Sequence, residues 1–189
     1  MHPVRLLFAS ALLILGGFVS APAAAAELGD DGLHKPTWLR ETFKDLRDDL
    51  AEANREGKRL LVIVEQRGCI YCTRMHEEVF PDPTIDQLIR DSYFVVQMNL
   101  FGDVEVTDFD GTVLPEKEMA VRWGVMFTPT LIFLPEDVKP NQTAAEASVA
   151  MMPGAFGKGT TSALLTWIRD HGYASGEHFQ KFLARQVNP

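Results

Sequence analysis

Apolar positions along this chain fall into segments of two periods. Leu39, Phe43, Leu46 and Leu50 recur every three or four residues, which predicts an amphipathic helix over 37–56, stopped by Gly57. Lys58 to Gln66 holds the unbroken run Leu60-Leu61-Val62-Ile63-Val64, the pattern of a buried strand. Cys69 to Val79 reads as a helix, and Asp82 or Thr84 caps a second, shorter one through Arg90. Tyr93 to Leu100 is rich in strand formers. Val104, Val106, Phe109 and Val113 around Asp110-Gly111 describe a small hairpin or protruding loop. A helix over Glu116–Trp123 stops at Gly124, and a strand follows over Thr130–Leu134. A polar loop through Pro140 and Asn141 leads to a strand over Ala147–Met152. Gly157–His171 is a helix with Leu164, Leu165, Trp167 and Ile168 on its apolar face, and Glu177–Gln186 forms one more. Helices and strands in this order describe an α/β domain with one central mixed sheet flanked by α-helices.

The first residues follow other rules. Residues 1–26 have the plan of a secretory signal: a short basic start at His2 and Arg5, an apolar stretch from Leu6 to Val19, and small residues at Ala24-Ala25-Ala26. That stretch is short of the roughly 20 apolar residues that span a bilayer, so no stable membrane insertion is expected after cleavage. Residues 27–189 then form a single domain of about 160 residues, and 46% hydrophobic content supplies a core. The net charge of −8 becomes −9 once Arg5 leaves with the signal. Such acidity argues against nucleic acid and anionic membranes as partners. No phosphate loop, nucleophile elbow or basic aromatic patch is present, and no cofactor is expected beyond a redox-active disulfide.

Two cysteines, Cys69 and Cys72, carry the candidate chemistry. A disulfide stabilises chiefly by closing a long loop of unfolded chain, so a pair this close is a poor staple. A lone C-x-x-C also lacks the second pair that would complete a zinc site. At a helix start, however, a cysteine faces unpaired N–H groups and the positive end of the helix dipole, which favour the nucleophilic thiolate. Cys69 is therefore expected to attack, and Cys72, three residues on, to resolve the mixed disulfide. In an oxidising compartment such a dithiol either passes on its disulfide or is kept reduced by a partner. Tyr71 is expected at the exposed helix start, where it can contact partners. His76 is expected to be a solvated helix histidine, Arg67 a solvated charge, Met126, Met151 and Met152 core filler, and the acids Asp103, Glu105, Asp108 and Asp110 a solvated loop.

The strand, the dithiol at a helix start, and Gly124-Val125-Met126-Phe127-Thr128-Pro129-Thr130-Leu131 about 60 residues on together resemble the thioredoxin superfamily, over roughly residues 37–172. A helical extension follows. The resemblance implies a cis Pro129 lying against the dithiol and a Thr128 backbone offered to an extended substrate, so Tyr71, Thr128 and Pro129 are the expected substrate-binding residues. The pattern Glu65-Gln66-x-Gly68-Cys69-x-Tyr71-Cys72 is similar to SoxW-type periplasmic thioredoxins. That implies a periplasmic protein-disulfide reductase, linked to bacterial sulfur-compound oxidation and re-reduced by a membrane electron-donor protein. This chain departs from ordinary thioredoxins in having Gly68 for Trp, Ile70-Tyr71 for Gly-Pro, and Ile63 for the buried acid. Glu65, four residues before Cys69, is the expected replacement for that acid as the base that deprotonates Cys72. Two alternatives keep the same cysteines: a disulfide oxidase or isomerase, and a metal-binding or delivery protein that adds His76 or a methionine.

Overall fold

A computed structural model describes residues 26–187, so the signal reading of 1–26 lies, but for Ala26, outside the described residues. The chain opens with β1 (Glu27–Leu28) paired antiparallel to β2 (His34–Lys35). An extended segment follows, in which Leu39 bridges Val95 and the Arg40 N–H donates to the Val95 carbonyl at 2.9 Å. Only then comes α1 (Leu46–Arg55). The helix predicted over 37–56 therefore forms in its second half alone. Lys44 has a φ of 57° and its N–H donates to Thr42 Oγ1 at 3.1 Å, a local turn that competes with helix. The Lys44 ammonium pairs with the buried Glu116, and Asp45 caps α1 by accepting from the Arg47 N–H at 3.1 Å. Phe43, counted into the apolar face by its spacing, is 100% exposed.

β3 (Arg59–Glu65) is followed by α2 (Ile70–Arg74), which runs into a π turn at Met75–Val79. α3 (Pro83–Ser92), capped by Asp82, delivers the chain to β4 (Tyr93–Asn99). The expected hairpin is β5 (Glu105–Thr107) against β6 (Val113–Pro115), and α4 (Glu116–Arg122) follows it. After β7 (Thr130–Phe133) a short helix α5 (Ala144–Ala147) forms at the end of the predicted polar loop, and the strand expected from Ala147 begins only at Ala150. The cause is a capping box: Glu146 N–H donates to Thr143 Oγ1 at 3.2 Å while Thr143 N–H donates to Glu146 Oε2 at 2.8 Å. β8 (Ala150–Pro153), α6 (Lys158–Arg169), a 3₁₀ turn at Gly172–Ala174 and α7 (Phe179–Val187) complete the described chain.

The main sheet has the order β4-β3-β7-β8, with β3 parallel to β4 and antiparallel to β7, and β8 antiparallel to β7. β3 is thus paired on both edges, and side-chain alternation divides its residues between two cores. Leu60, Val62 and Val64 join Leu46, Phe94, Met98, Met119 and Ile132 on the side of α1 and α4. Leu61 and Ile63 join Met75, Ile85, Val95, Leu164 and Ile168 on the side of α2, α3 and α6. Phe179 and Phe182 of α7 pack against this second core. Each fully buried aliphatic or aromatic side chain contributes about 1.5–3 kcal/mol over an exposed one, and two such layers clamp β3. Alternation puts Glu65, its last residue, on the face that α2 covers.

Candidate active site

The dithiol sits where β3 ends and α2 begins. Gly68, at φ +69°, makes the turn in a backbone region that L side chains rarely adopt. Cys69 is the N-cap of α2, and its Sγ accepts a hydrogen bond from the Cys72 N–H at 3.0 Å. Capping by sulfur explains why a cysteine serves at this position: a negative sulfur satisfies an N–H that the first helical turn leaves free. The two cysteines form a disulfide with a Cα separation of 5.2 Å. Cys69 is 7% exposed and Cys72 2%, so an incoming partner reaches Cys69 first.

Across from Cys69 lies Thr128-Pro129, whose peptide bond is cis. Thr128 Oγ1 is 3.3 Å from Cys69 Sγ and the Thr128 carbonyl oxygen 3.4 Å. In the disulfide the sulfur carries no proton, so the hydroxyl is the group that can donate, and it donates more strongly to a thiolate. The turn is fixed from both sides. Gly154 N–H donates to the Pro129 carbonyl at 2.7 Å, and the Thr130 hydroxyl donates to the Phe127 carbonyl at 2.7 Å. Tyr71 is exposed at the start of α2, as expected, beside an exposed Ile70. Met126 and Phe127 on the opposing turn are 78% and 61% exposed. The reading of Met126 as core filler is therefore corrected, and Phe127 was missed. The signal available was their place just before Pro129, outside the strand that Pro129 opens.

The face of β3 that α2 covers is not wholly apolar. Glu65 and His76 are each 1% exposed, with His76 Nε2 2.9 Å from Glu65 Oε1. Gln97 Nε2 donates to the other carboxylate oxygen at 2.7 Å and to the His34 carbonyl at 2.9 Å. Lys35 Nζ holds Gln97 Oε1 at 2.7 Å, and the His34 ring stacks on His76 with centroids 4.5 Å apart. Burial pushes the His34 pKa down, helped by His76 and opposed by Glu65 and Glu77. His76 is thus not the solvated histidine expected from its helix position; the tertiary fold closes β2 over it. Its Nε2 is engaged by Glu65, and among the described residues no three His, Cys, Asp or Glu side chains converge as metal ligands.

Arg67 is exposed, as expected, and donates to the carbonyls of Asp31 at 3.2 Å and Asp30 at 3.0 Å in the loop after β1. One further expectation needs correction. Asp108 is fully buried rather than solvated. It accepts from Trp123 Nε1 at 2.8 Å, Arg122 Nη1 at 2.9 Å, and the N–H groups of Phe109 and Ala144 at 2.8 Å each. Among the described residues no helix is long and apolar enough to cross a membrane.

The fold has measurable relatives. A thioredoxin-fold protein from Helicobacter pylori superposes with a TM-score of 0.53 at 18% identity, covering 70% of this chain and 86% of the other. A thioredoxin from Thermus thermophilus gives 0.53 at 24% identity, covering 70% and 90%. In sequence, a thiol:disulfide interchange protein DsbD from Colwellia psychrerythraea is 21% identical over 114 residues, which is 60% of this chain. The chain spans only 17% of that relative's length. The model of a family described as a thioredoxin-like domain matches residues 46–155, from the first residue of α1 past the end of β8. A dithiol capping a helix opposite a cis proline lies inside that stretch, and this chain belongs to the thioredoxin-like domain family.

Proposed function

We propose that this protein is an exported, periplasmic protein-disulfide reductase. One observation carries the reading: the sulfur of Cys69 lies at a helix start, 3.3 Å from the Thr128 hydroxyl, between exposed apolar side chains on α2 and on the turn before Pro129. Reduced Cys69 attacks a disulfide sulfur of a protein partner, forms a mixed disulfide and expels the first partner thiolate. Cys72 then attacks Cys69 Sγ, releases the second partner thiolate and leaves the Cys69–Cys72 disulfide. Tyr71, Ile70, Met126 and Phe127 offer apolar contact to the chain around that disulfide, while the Thr128 backbone and Pro129 hold it extended. Glu65 takes the Cys72 proton. The likeness to part of a thiol:disulfide interchange protein supports re-reduction by a membrane electron-donor protein. The SoxW-like pattern around the cysteines favours a place in sulfur-compound oxidation.

Trapping tests this. With Cys72→Ser, a mixed disulfide on Cys69 is expected to persist with protein partners from a periplasmic extract, and Cys69→Ser is expected to trap none. Equal recovery with both variants would remove the assigned roles. The same two donors on Cys69 Sγ also favour the thiolate that a disulfide-donating enzyme needs, so the direction of transfer rests on the reduction potential.

A further inference from the structure

We propose that Met126 is an oxidation site that controls access of protein partners to the dithiol. A hydroperoxide converts its thioether to a sulfoxide, and the rim then loses its hold on protein disulfides while the cysteines keep their chemistry. The inference rests on the dithiol reading above and adds a control to that site. The other methionines of the described chain are withdrawn from solvent. Met75, Met98, Met119 and Met152 are buried in the two cores, and Met151 on β8 is 36% exposed. Met126 is 78% exposed, so an oxidant in solution meets its sulfur first.

The backbone on both sides of Met126 is fixed. α4 ends at Gly124, whose φ is +69°, and the Val125 N–H donates back to the Ala120 carbonyl at 2.9 Å. Val125 is buried and anchors the turn, while Met126 and Phe127 stand outside it. On the far side the Phe127 carbonyl accepts from the Thr130 hydroxyl at 2.7 Å. Thr128, two residues after Met126, places its hydroxyl 3.3 Å from Cys69 Sγ, which ties this turn to the dithiol. Ile70 and Tyr71 on α2 are exposed as well, so the apolar rim continues on the cysteine side. An exposed methionine gives the core nothing; its flexible, polarisable side chain suits contact with varied partner surfaces. The same sulfur is the atom that oxidants attack.

In the oxidation step the Met126 sulfur attacks one oxygen of the hydroperoxide. The S–O bond forms and the O–O bond breaks. The thioether is oxidised to the sulfoxide, and the peroxide is reduced to water or an alcohol. The new oxygen is polar and meets an apolar partner surface, where burying it without a donor opposes docking. The dithiol answers the same oxidant differently. A Cys69 thiolate is oxidised to the sulfenic acid, and Cys72 condenses with it, releasing water and forming the Cys69–Cys72 disulfide. Ordinary re-reduction restores the cysteines, whereas the sulfoxide needs a methionine sulfoxide reductase. The mark on Met126 therefore outlasts the turnover of the dithiol.

The test treats the disulfide form of the mature protein with hydrogen peroxide, so that the cysteines are protected, and locates added oxygen by peptide mass. The protein is then re-reduced, freed of reductant and assayed on insulin and on dithiobis(nitrobenzoate). Met126 should gain an oxygen before any other methionine. Treatment should lower kcat/KM on insulin about five- to tenfold and leave the small disulfide within about twofold. Methionine sulfoxide reductases should reverse the loss. Met126→Leu has no sulfur to oxidise and should lose less than about twofold on treatment, measured against its own untreated rate. Met126→Gln carries a polar side chain of similar length and should show the insulin defect untreated. Met151→Leu should be as sensitive as wild type. Faster oxidation of Met151 than of Met126, an unchanged insulin rate in the oxidised protein, equal losses on both substrates, or an equal loss in treated Met126→Leu would overturn the proposal. An untreated wild-type protein that reduces neither substrate would instead overturn the dithiol reading itself.

Discussion

Replacing Thr128 with valine removes one of two donors to the attacking sulfur and changes little else. Valine keeps the branched shape, and the Thr128 carbonyl stays where it is. The lost contact is the hydroxyl 3.3 Å from Cys69 Sγ; the Cys72 N–H at 3.0 Å remains. A hydrogen bond to a charged group contributes about 1.5–3 kcal/mol, and a large, diffuse sulfur acceptor places this one near 1.5. Cys69 is 7% exposed, so water replaces the donor poorly. The disulfide form, whose sulfur is neutral, loses much less. The reduced form is therefore selectively destabilised, and the thiolate population at fixed pH falls about tenfold. The reduction potential should fall with it, becoming about 30 mV more negative. Equilibration against glutathione buffers gives the potential, and the rate of iodoacetamide alkylation against pH gives the thiolate. A potential within about 10 mV of wild type, or a shift to a less negative value, would refute the claim that the Thr128 hydroxyl holds the thiolate.

Other substitutions test other parts of the account. Burial, reinforced by Asp45, Asp48 and Glu52, pushes Asp49 up from 3.8 to about 6 against the Thr42 hydroxyl bond. Its ionisation therefore costs stability: nothing below pH 4, progressively more between about pH 4 and 6, and the full penalty above. Asp49→Asn should add about 1–2 kcal/mol in urea unfolding at pH 7, part of the shift being screened by solvent, and add nothing at pH 4; equal gains at both would rule this out. Asp108→Ala should cost about 3–5 kcal/mol, since it leaves the Arg122 guanidinium, the Trp123 indole and two backbone N–H groups without their acceptor; a loss below about 1 kcal/mol would contradict the buried hub. Phe127→Ser should lower kcat/KM on a protein disulfide such as insulin about five- to tenfold, through lost apolar contact, and leave a small disulfide and the unfolding midpoint unchanged. Equal losses on both substrates would show that the rim does not bind protein.

The parts of the fold that were legible are those where local pattern and tertiary environment agree. β3 is apolar without interruption because it is covered on both faces, and the run from Leu60 to Val64 says so directly. Asp82, Gly57 and Gly124 punctuate the chain where their chemistry predicts. The misreadings share a cause. Phe43 keeps helical spacing with Leu46, but Lys44 adopts a left-handed turn tied to Thr42 and Glu116, and the second tie comes from a helix about 70 residues away. His76 has an unremarkable helical setting in sequence; what buries it is β2, a two-residue strand with no periodicity to detect. Asp108 sits in an acidic run that reads as solvated, and only Trp123, Arg122 and Ala144, all distant in sequence, make it a hub. In the candidate site the dithiol and Pro129 were visible as motifs. The exposed Met126 and Phe127 were not, because an apolar pair beside a strand reads as core until the cis turn faces it outward.

The most direct measurement is the reduction potential of the Cys69–Cys72 pair in the mature protein, read by intact mass after equilibration in dithiothreitol and glutathione buffers. The account expects a value near the roughly −270 mV of thioredoxin, low enough to reduce protein disulfides once a donor supplies electrons. A value near the roughly −120 mV of a strong oxidant would contradict it and make this protein a donor of disulfides.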